Sequence, residues 1–267
     1  MMATFKKSKW ALLYGSIAVV VLFGALAATF LLAGYSLGPG LSVRHPGTIT
    51  VIVPHKDTHV FLDDRRVGIS SKENEVFKLS NIATGAHTVL VAKETFFPWG
   101  KNIVLKEKDS ITVRPFLAPA SAQVSIITEN NDRFAELKNK IIGSPLSLPQ
   151  TIKLSPDNTV ALWTDGKNVI AEWRGGDIKP RYFCENTCTN RIIVFTADSE
   201  IENTDFYANR SDVIMIAIKD GIYAIELDAT GVQNFQPLYV GIGPRFLKES
   251  SESFLVLDGD SLKEVAF

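Results

Sequence analysis

Cys184 and Cys188 stand four positions apart, with Glu185-Asn186-Thr187 between them, and they are the chain's only thiols. A Cys-x3-Cys pair admits three readings: a disulfide, two free thiols, or half of a metal site. A metal would need histidine ligands, and His45, His55, His59 and His87 all lie far upstream in no finger-like spacing. In an oxidising exterior a disulfide closing a small loop is the favoured reading. So short a loop adds only modest stability on the chain-entropy account.

Acidic residues offer a second kind of chemistry. Asp165-Gly166, Asp220-Gly221 and Asp258-Gly259-Asp260 each interrupt an apolar run, and the last invites a calcium reading. Calcium takes about six to eight oxygens, and no Asp-x-Asp-x-Asp-Gly array is present, so these pairs read as hairpin turns. His87 sits inside a regular strand pattern just after Gly85, where it can hydrogen-bond across the turn. No Gly-rich phosphate loop, HExxH or GxSxG motif occurs. No histidine follows His87, so the C-terminal region cannot build a Ser-His-Asp site from its own residues. A carboxylate pair for glycoside hydrolysis stays open. No catalytic residue, cofactor or metal ligand is therefore assigned, and the chain is not expected to be an enzyme. Phe96, Phe97 and Trp99, grouped around Pro98, are the candidate binding residues. They read either as packing or as a solvent-facing ledge for glycan or partner.

These groups must be positioned by elements whose side of the membrane is set by the N-terminus. Residues 10–43 carry no charge, and Lys6, Lys7 and Lys9 stand just before them. The apolar core, residues 11–34, is about 24 residues, long enough as a helix to cross the roughly 30 Å hydrocarbon layer. Basic residues before the segment and few soon after it predict an N-terminus inside and a body outside. Trp10, Tyr14 and Tyr35 suit the two interfaces. A cleaved signal peptide, with Ala25-Leu26-Ala27 as cleavage site, is the alternative, although the apolar run is longer than signal peptides use. A net charge of −1 offers no basic field for nucleic acid.

Ser36 to Pro46, with Gly38-Pro39-Gly40, reads as a tether. Beyond it come period-two segments: 48–53, 59–62, 75–79, 87–92, 101–105 and 110–114, with Asp63-Asp64-Arg65-Arg66 as a charged turn. Six strands without helical periodicity indicate a small β-sandwich. Gly47 and Val51, then Pro54, then Val60-Phe61-Leu62-Asp63 with Gly68 form its first half. Leu79, Ile82, Gly85, His87, Val89 and Val91 form the second, followed by Phe96-Phe97. On these positions the region resembles the PEGA domain, a β-sandwich module of exported bacterial surface proteins. It departs from that family where Pro54-His55-Lys56-Asp57 stands for Pro-Glu-Gly-Ala and where Asp64 replaces the turn glycine. The resemblance implies a surface or envelope module and no catalytic residue.

Phe116-Leu117-Ala118-Pro119-Ala120 marks a boundary. A strand at 124–128 and a helix at 132–142, with Phe134, Leu137 and Ile141 on one face and Asn131 or Asp132 as cap, open the last region. Strand–turn–strand units follow at 157–173, 212–227 and 254–265, and Ile192-Ile193-Val194-Phe195 reads as a degraded fourth copy. Leu154-Ser155-Pro156-Asp157 looks like the start of a blade in WD40-like β-propellers. The expected fold is mainly β: one N-terminal transmembrane helix (1–45 with tail and tether), a PEGA-like sandwich (46–117), then a propeller-like or second β domain (118–267). A closed ring needs four or more blades, so the last region reads as incomplete, finished by a partner chain. The expected role is a non-catalytic, single-pass protein of the bacterial cytoplasmic membrane. It is anchored in the bilayer through residues 11–34 and binds cell-wall glycan or another envelope protein. An accessory or sensor subunit of a membrane complex is the alternative, and a carbohydrate-active enzyme a more distant one.

Overall fold

Helix α1 (Thr4–Leu32) forms where Ala, Leu and Val run on without proline. In the computed structural model of the chain, residues 4–32, 36–37, 43–143, 151–184 and 187–266 are described. Side chains of α1 are described over residues 14–29, and every one of them is exposed. That stretch is about 24 Å long at about 1.5 Å per residue. Among the described residues, no helix is long and apolar enough to cross a membrane. The side chain of Trp10, and Tyr35 and the Gly38-Pro39-Gly40 stretch altogether, lie outside what is described. Two short strands, β1 (Ser36–Leu37) and β2 (Val43–Arg44), pair antiparallel.

Seven strands come next: β3 (Gly47–Ile52), β4 (His59–Leu62), β5 (Arg65–Ile69), β6 (Val76–Ile82), β7 (Gly85–Ala92), β8 (Trp99–Leu105) and β9 (Ser110–Val113). They make two sheets, β6-β3-β9 and β5-β4-β7-β8. The charged stretch Asp63–Arg66 is not all turn. Asp63 and Asp64, at φ 49° and 63°, make the two-residue bend, and Arg65 already pairs with Leu62. Aspartate tolerates the left-handed region better than most residues, so the bend dispenses with glycine.

By contacts the chain divides into two units. One comprises residues 1–52, 76–87 and 104–114. In it β3 runs antiparallel to β6 and parallel to β9, with Ile49 and Val51 fully buried. The other comprises residues 53–75, 88–103 and 115–267. Residues 53–75 and 88–103 thus group with the chain beyond 115.

The second unit continues with β10 (Gln123–Ile127), α2 (Phe134–Gly143), β11 (Lys153–Leu154), β12 (Val160–Asp165), β13 (Asn168–Trp173) and β14 (Arg191–Thr196). After these come β15 (Asn203–Phe206), β16 (Val213–Ile218), β17 (Gly221–Glu226), β18 (Phe235–Val240), β19 (Arg245–Lys248), β20 (Ser253–Asp258) and β21 (Ser261–Ala266). Strands β11 to β14 form one antiparallel four-stranded sheet and β15 to β18 a second. In the third, β19-β20-β21 is completed by β10, which pairs Gln123 with Ala266 and Ile127 with Leu262. The three expected hairpins are β12–β13, β16–β17 and β20–β21. Ile192–Phe195 does not begin a fourth: it lies in β14, the last strand laid on β13. Val194 is buried there, Ile192 and Phe195 pack partly buried against the same core, and Ile193 is exposed.

The first two sheets share a core in which Val160, Leu162, Phe183, Phe206, Ile214 and Leu227 are buried. On the third, α2 sets Leu137 and Ile141 against Leu255, Leu257 and Leu262. The Asn131 side chain accepts from Arg133 N (2.9 Å), and its carbonyl accepts from Phe134 N (2.9 Å), so Asn131 caps the helix start.

Candidate functional site

Strand β8 begins at Trp99, and its burial alternates, so Trp99, Lys101, Ile103 and Leu105 all point inward. Trp99 is 2% exposed and cannot belong to a solvent-facing ledge. That correction follows from period-two geometry: the strand starts two residues earlier than the pattern alone indicates, and Trp99 falls on the inner parity. Phe96 and Phe97 are half-buried. They are held by a short ladder in which Phe97 N donates to Ala118 O (2.9 Å), Ala120 N donates to Thr95 O (2.8 Å), and Phe96 bridges Pro119. The Phe96 ring lies 5.0 Å from the His55 ring, and Lys93 Nζ stands 4.8 Å from its centroid. Burial, and then the Lys93 charge, push the His55 imidazole below its ordinary value, favouring the neutral ring, which packs against Phe96 tilted by 38°. A half-open phenyl ring flanked by a neutral imidazole and an ammonium suits the apolar face of a sugar or a small apolar side chain.

Beneath this surface lies a buried polar joint that composition and spacing did not reveal. The Trp99 indole N–H donates to Glu226 Oε1. Lys101 Nζ donates to Glu226 Oε2 (3.0 Å) and to Asp228 O (2.6 Å), and the Asp228 carboxylate is 3.4 Å away. Lys101 and Glu226 are only 3% and 7% exposed at the side chain. Asn234 donates to Gly100 O (2.9 Å) and Glu226 Oε2 (3.2 Å), and accepts from Gly100 N (3.1 Å). Gln236 accepts from Ala118 N (2.7 Å) and donates to Pro98 O (3.3 Å). The amide side chains of Asn234, just before β18, and of Gln236, within it, therefore bond the neighbouring backbone as another strand would. Burial raises the Glu226 carboxyl, while Lys101, Trp99 and Asn234 pull it back toward the carboxylate. Among the described residues every buried side-chain polar atom has a hydrogen-bond partner, as a packed polar joint requires. The one available signal was Lys101 sharing parity with Trp99 inside an apolar strand.

A second cluster joins Tyr239, Asp258 and Lys263. The Tyr239 hydroxyl donates to Asp258 Oδ2 (2.5 Å), and Lys263 Nζ donates to Tyr239 Oη (2.6 Å) and Asp258 Oδ2 (3.2 Å). Burial and the Asp258 hydrogen bond raise the phenol. The Tyr239 hydrogen bond raises Lys263 and, on the other side, lowers Asp258. Each group is thereby held in its ordinary neutral-pH form, whereas a base or nucleophile needs the opposite displacement. The cluster braces the β20–β21 turn.

Cys184 and Cys188 are joined as a disulfide. It follows the 3-10 turn Arg181–Phe183, whose Phe183 is buried in the core of the first two sheets. The Asp-Gly pairs are turns of two kinds. Gly166 and Gly259 lead their loops at φ +59°, whereas Gly221 already pairs with Ile218 and Val240 in β17. Among the described residues no group of His, Cys, Asp or Glu is arranged to hold a metal ion. His87 Nε2 donates to Ala83 O (2.7 Å), across the turn that contains Gly85.

No protein-family model matches the chain, and no curated relative does. Among solved structures, the AfRom2 CNH domain aligns with 87% of this chain and 69% of its own, at 10% sequence identity and a TM-score of 0.28. Agreement of that degree carries no argument about fold or function.

Proposed function

We propose that this chain is a non-catalytic, membrane-anchored envelope protein whose β body binds glycan or protein outside the cytoplasm. The observation that carries the reading is α1. Its described side chains include Ile17, Val19, Val20, Val21, Leu22, Phe23 and Leu26, and each of these is more than half exposed. The described part of α1 does not by itself reach across a membrane, but exposed apolar side chains favour an apolar solvent, and the uncharged run 11–34 with Lys6, Lys7 and Lys9 before it supports a bilayer and its inner surface. The Cys184–Cys188 disulfide agrees with an oxidising compartment.

The body is read as a PEGA-like module followed by a propeller-like array. The three four-stranded antiparallel sheets, the last completed by pairing of residues 123–127 with 262–266, support the second part. Phe96 and Phe97 are the binding residues of this reading, and Trp99 is withdrawn from it. The test is retention of the full-length, detergent-solubilised chain on purified cell-wall material or on a defined membrane protein. Retention that falls at least tenfold in Phe96→Ala/Phe97→Ala supports the reading. Retention unchanged by that pair removes the platform, and no retention on either material removes the binding role.

A further inference from the structure

Four cations lie over aromatic rings among the described residues: Lys93 over Phe96, Lys138 over Phe134, Arg191 over Trp163 and Lys263 over Tyr239. Three of them are also held by a carboxylate, Lys138 by Asp260 (2.9 Å), Arg191 by Glu172 (2.7 Å) and Lys263 by Asp258 (3.2 Å). Lys93 is the exception. Among the described residues no carboxylate stands within ion-pair distance of its ammonium, Glu94 beside it in sequence included. Lys93 is half-buried, and its charge rests on the Phe96 ring at 4.8 Å. His55, 5.0 Å from the same ring, favours its neutral form and brings no counter-charge. The cation is thus incompletely compensated, because a ring face offers it no hydrogen-bond acceptor as a carboxylate would.

We propose, resting on the reading of Phe96 and Phe97 as binding residues, that their platform takes a carboxylated sugar. The sugar's carboxylate draws Lys93 Nζ off the ring, and its C–H face settles on the phenyl surface so uncovered. A carboxyl-bearing pyranose meets both demands, since it carries an anion at its edge and apolar C–H groups on its face. A neutral sugar has to displace the ammonium from Phe96 and returns no charge to it, so the site discriminates against it. The bonds from Phe97 N to Ala118 O and from Ala120 N to Thr95 O fix the backbone beneath both rings and leave their side chains to the ligand. An acidic protein side chain would satisfy the same ammonium, but it has no flat apolar face to lay on the ring.

The test is retention of the full-length, detergent-solubilised chain on purified cell-wall glycan freed of peptide, before and after its carboxyl groups are reduced to alcohols. Retention is expected to fall at least tenfold on reduction. On the untreated glycan it should fall as far in Lys93→Gln, recover in Lys93→Arg, and weaken with added salt. Equal retention before and after reduction overturns the proposal; where that retention still needs Phe96 and Phe97, the platform stands and takes a neutral sugar. A fall on reduction that folded Lys93→Gln does not share overturns it as well. Retention that vanishes once peptide is removed makes the ligand an acidic peptide, with the same consequence. No retention on glycan with or without peptide removes the platform itself. Carboxyl reduction alters the glycan alone, so that comparison decides even where Lys93→Gln fails to fold.

Discussion

Removing Lys101 leaves Glu226 buried with hydrogen bonds but no counter-charge, whereas removing the Glu226 charge leaves Lys101 with Asp228 at 3.4 Å. Lys101→Met is therefore expected to cost about 3–5 kcal/mol and Glu226→Gln less, measured by thermal or denaturant unfolding of the full chain. Equal losses contradict the asymmetry. The same carboxyl sets a pH slope. Its folded value is raised above 4.5, so its contribution is fully present below pH 4.5 and is lost as pH rises through the folded value. Glu226→Gln should flatten that part of the profile. Asp157 acts in the opposite sense: burial raises it, but hydrogen bonds from Ser155, Ser211 and Thr159 outweigh this and hold it low. Its contribution is present above 3.8 and is lost as pH falls. At this scale the sequence was only partly informative. The histidines and cysteines could be sorted by spacing, but the partner of Lys101 lies 125 positions away and nothing local announces it.

Turns separate the legible elements from the illegible ones. Gly166 has open space around it and φ +59°, so Gly166→Ala should cost about 1–2 kcal/mol from backbone strain alone. At Gly221 an added Cβ would meet Tyr239 O at 2.5 Å, inside the β17–β18 ladder, and Gly221→Ala should cost more. Midpoint temperatures of the two variants decide it, and the reverse order would contradict the packing described. The hairpins β12–β13, β16–β17 and β20–β21 were readable because their signals are local: alternation, then Asp-Gly, then alternation. Strands β15, β18 and β19 escaped notice for a physical reason. Of these, β15 and β19 are four residues long and polar, as Asn203-Thr204-Asp205 and Arg245-Phe246-Leu247-Lys248 show, β18 carries Pro237, and each exists because the adjoining strand of its sheet offers it an edge. Likewise Asp63-Asp64 hides a sharp bend in residues that read as a longer charged turn.

On the scale of the whole molecule, the mainly β character followed from composition and periodicity, but the grouping of segments did not. Residues 53–75 and 88–103 cluster with 115–267 through bonds such as Trp99 to Glu226 and Gly100 to Asn234, made by side chains far apart in sequence. Such bonds depend on how sheets meet, which period-two patterns do not encode. At the N-terminus the uncharged run led to the expectation of a helix, and α1 (Thr4–Leu32) is present, although among the described residues no helix is long and apolar enough to cross a membrane. The central claim is that α1 anchors the chain and places the β body outside the cytoplasm. It is tested most directly by labelling Lys72→Cys in intact cells with a membrane-impermeant maleimide. The account predicts full labelling without permeabilisation, and labelling that appears only after the membrane is broken would contradict it.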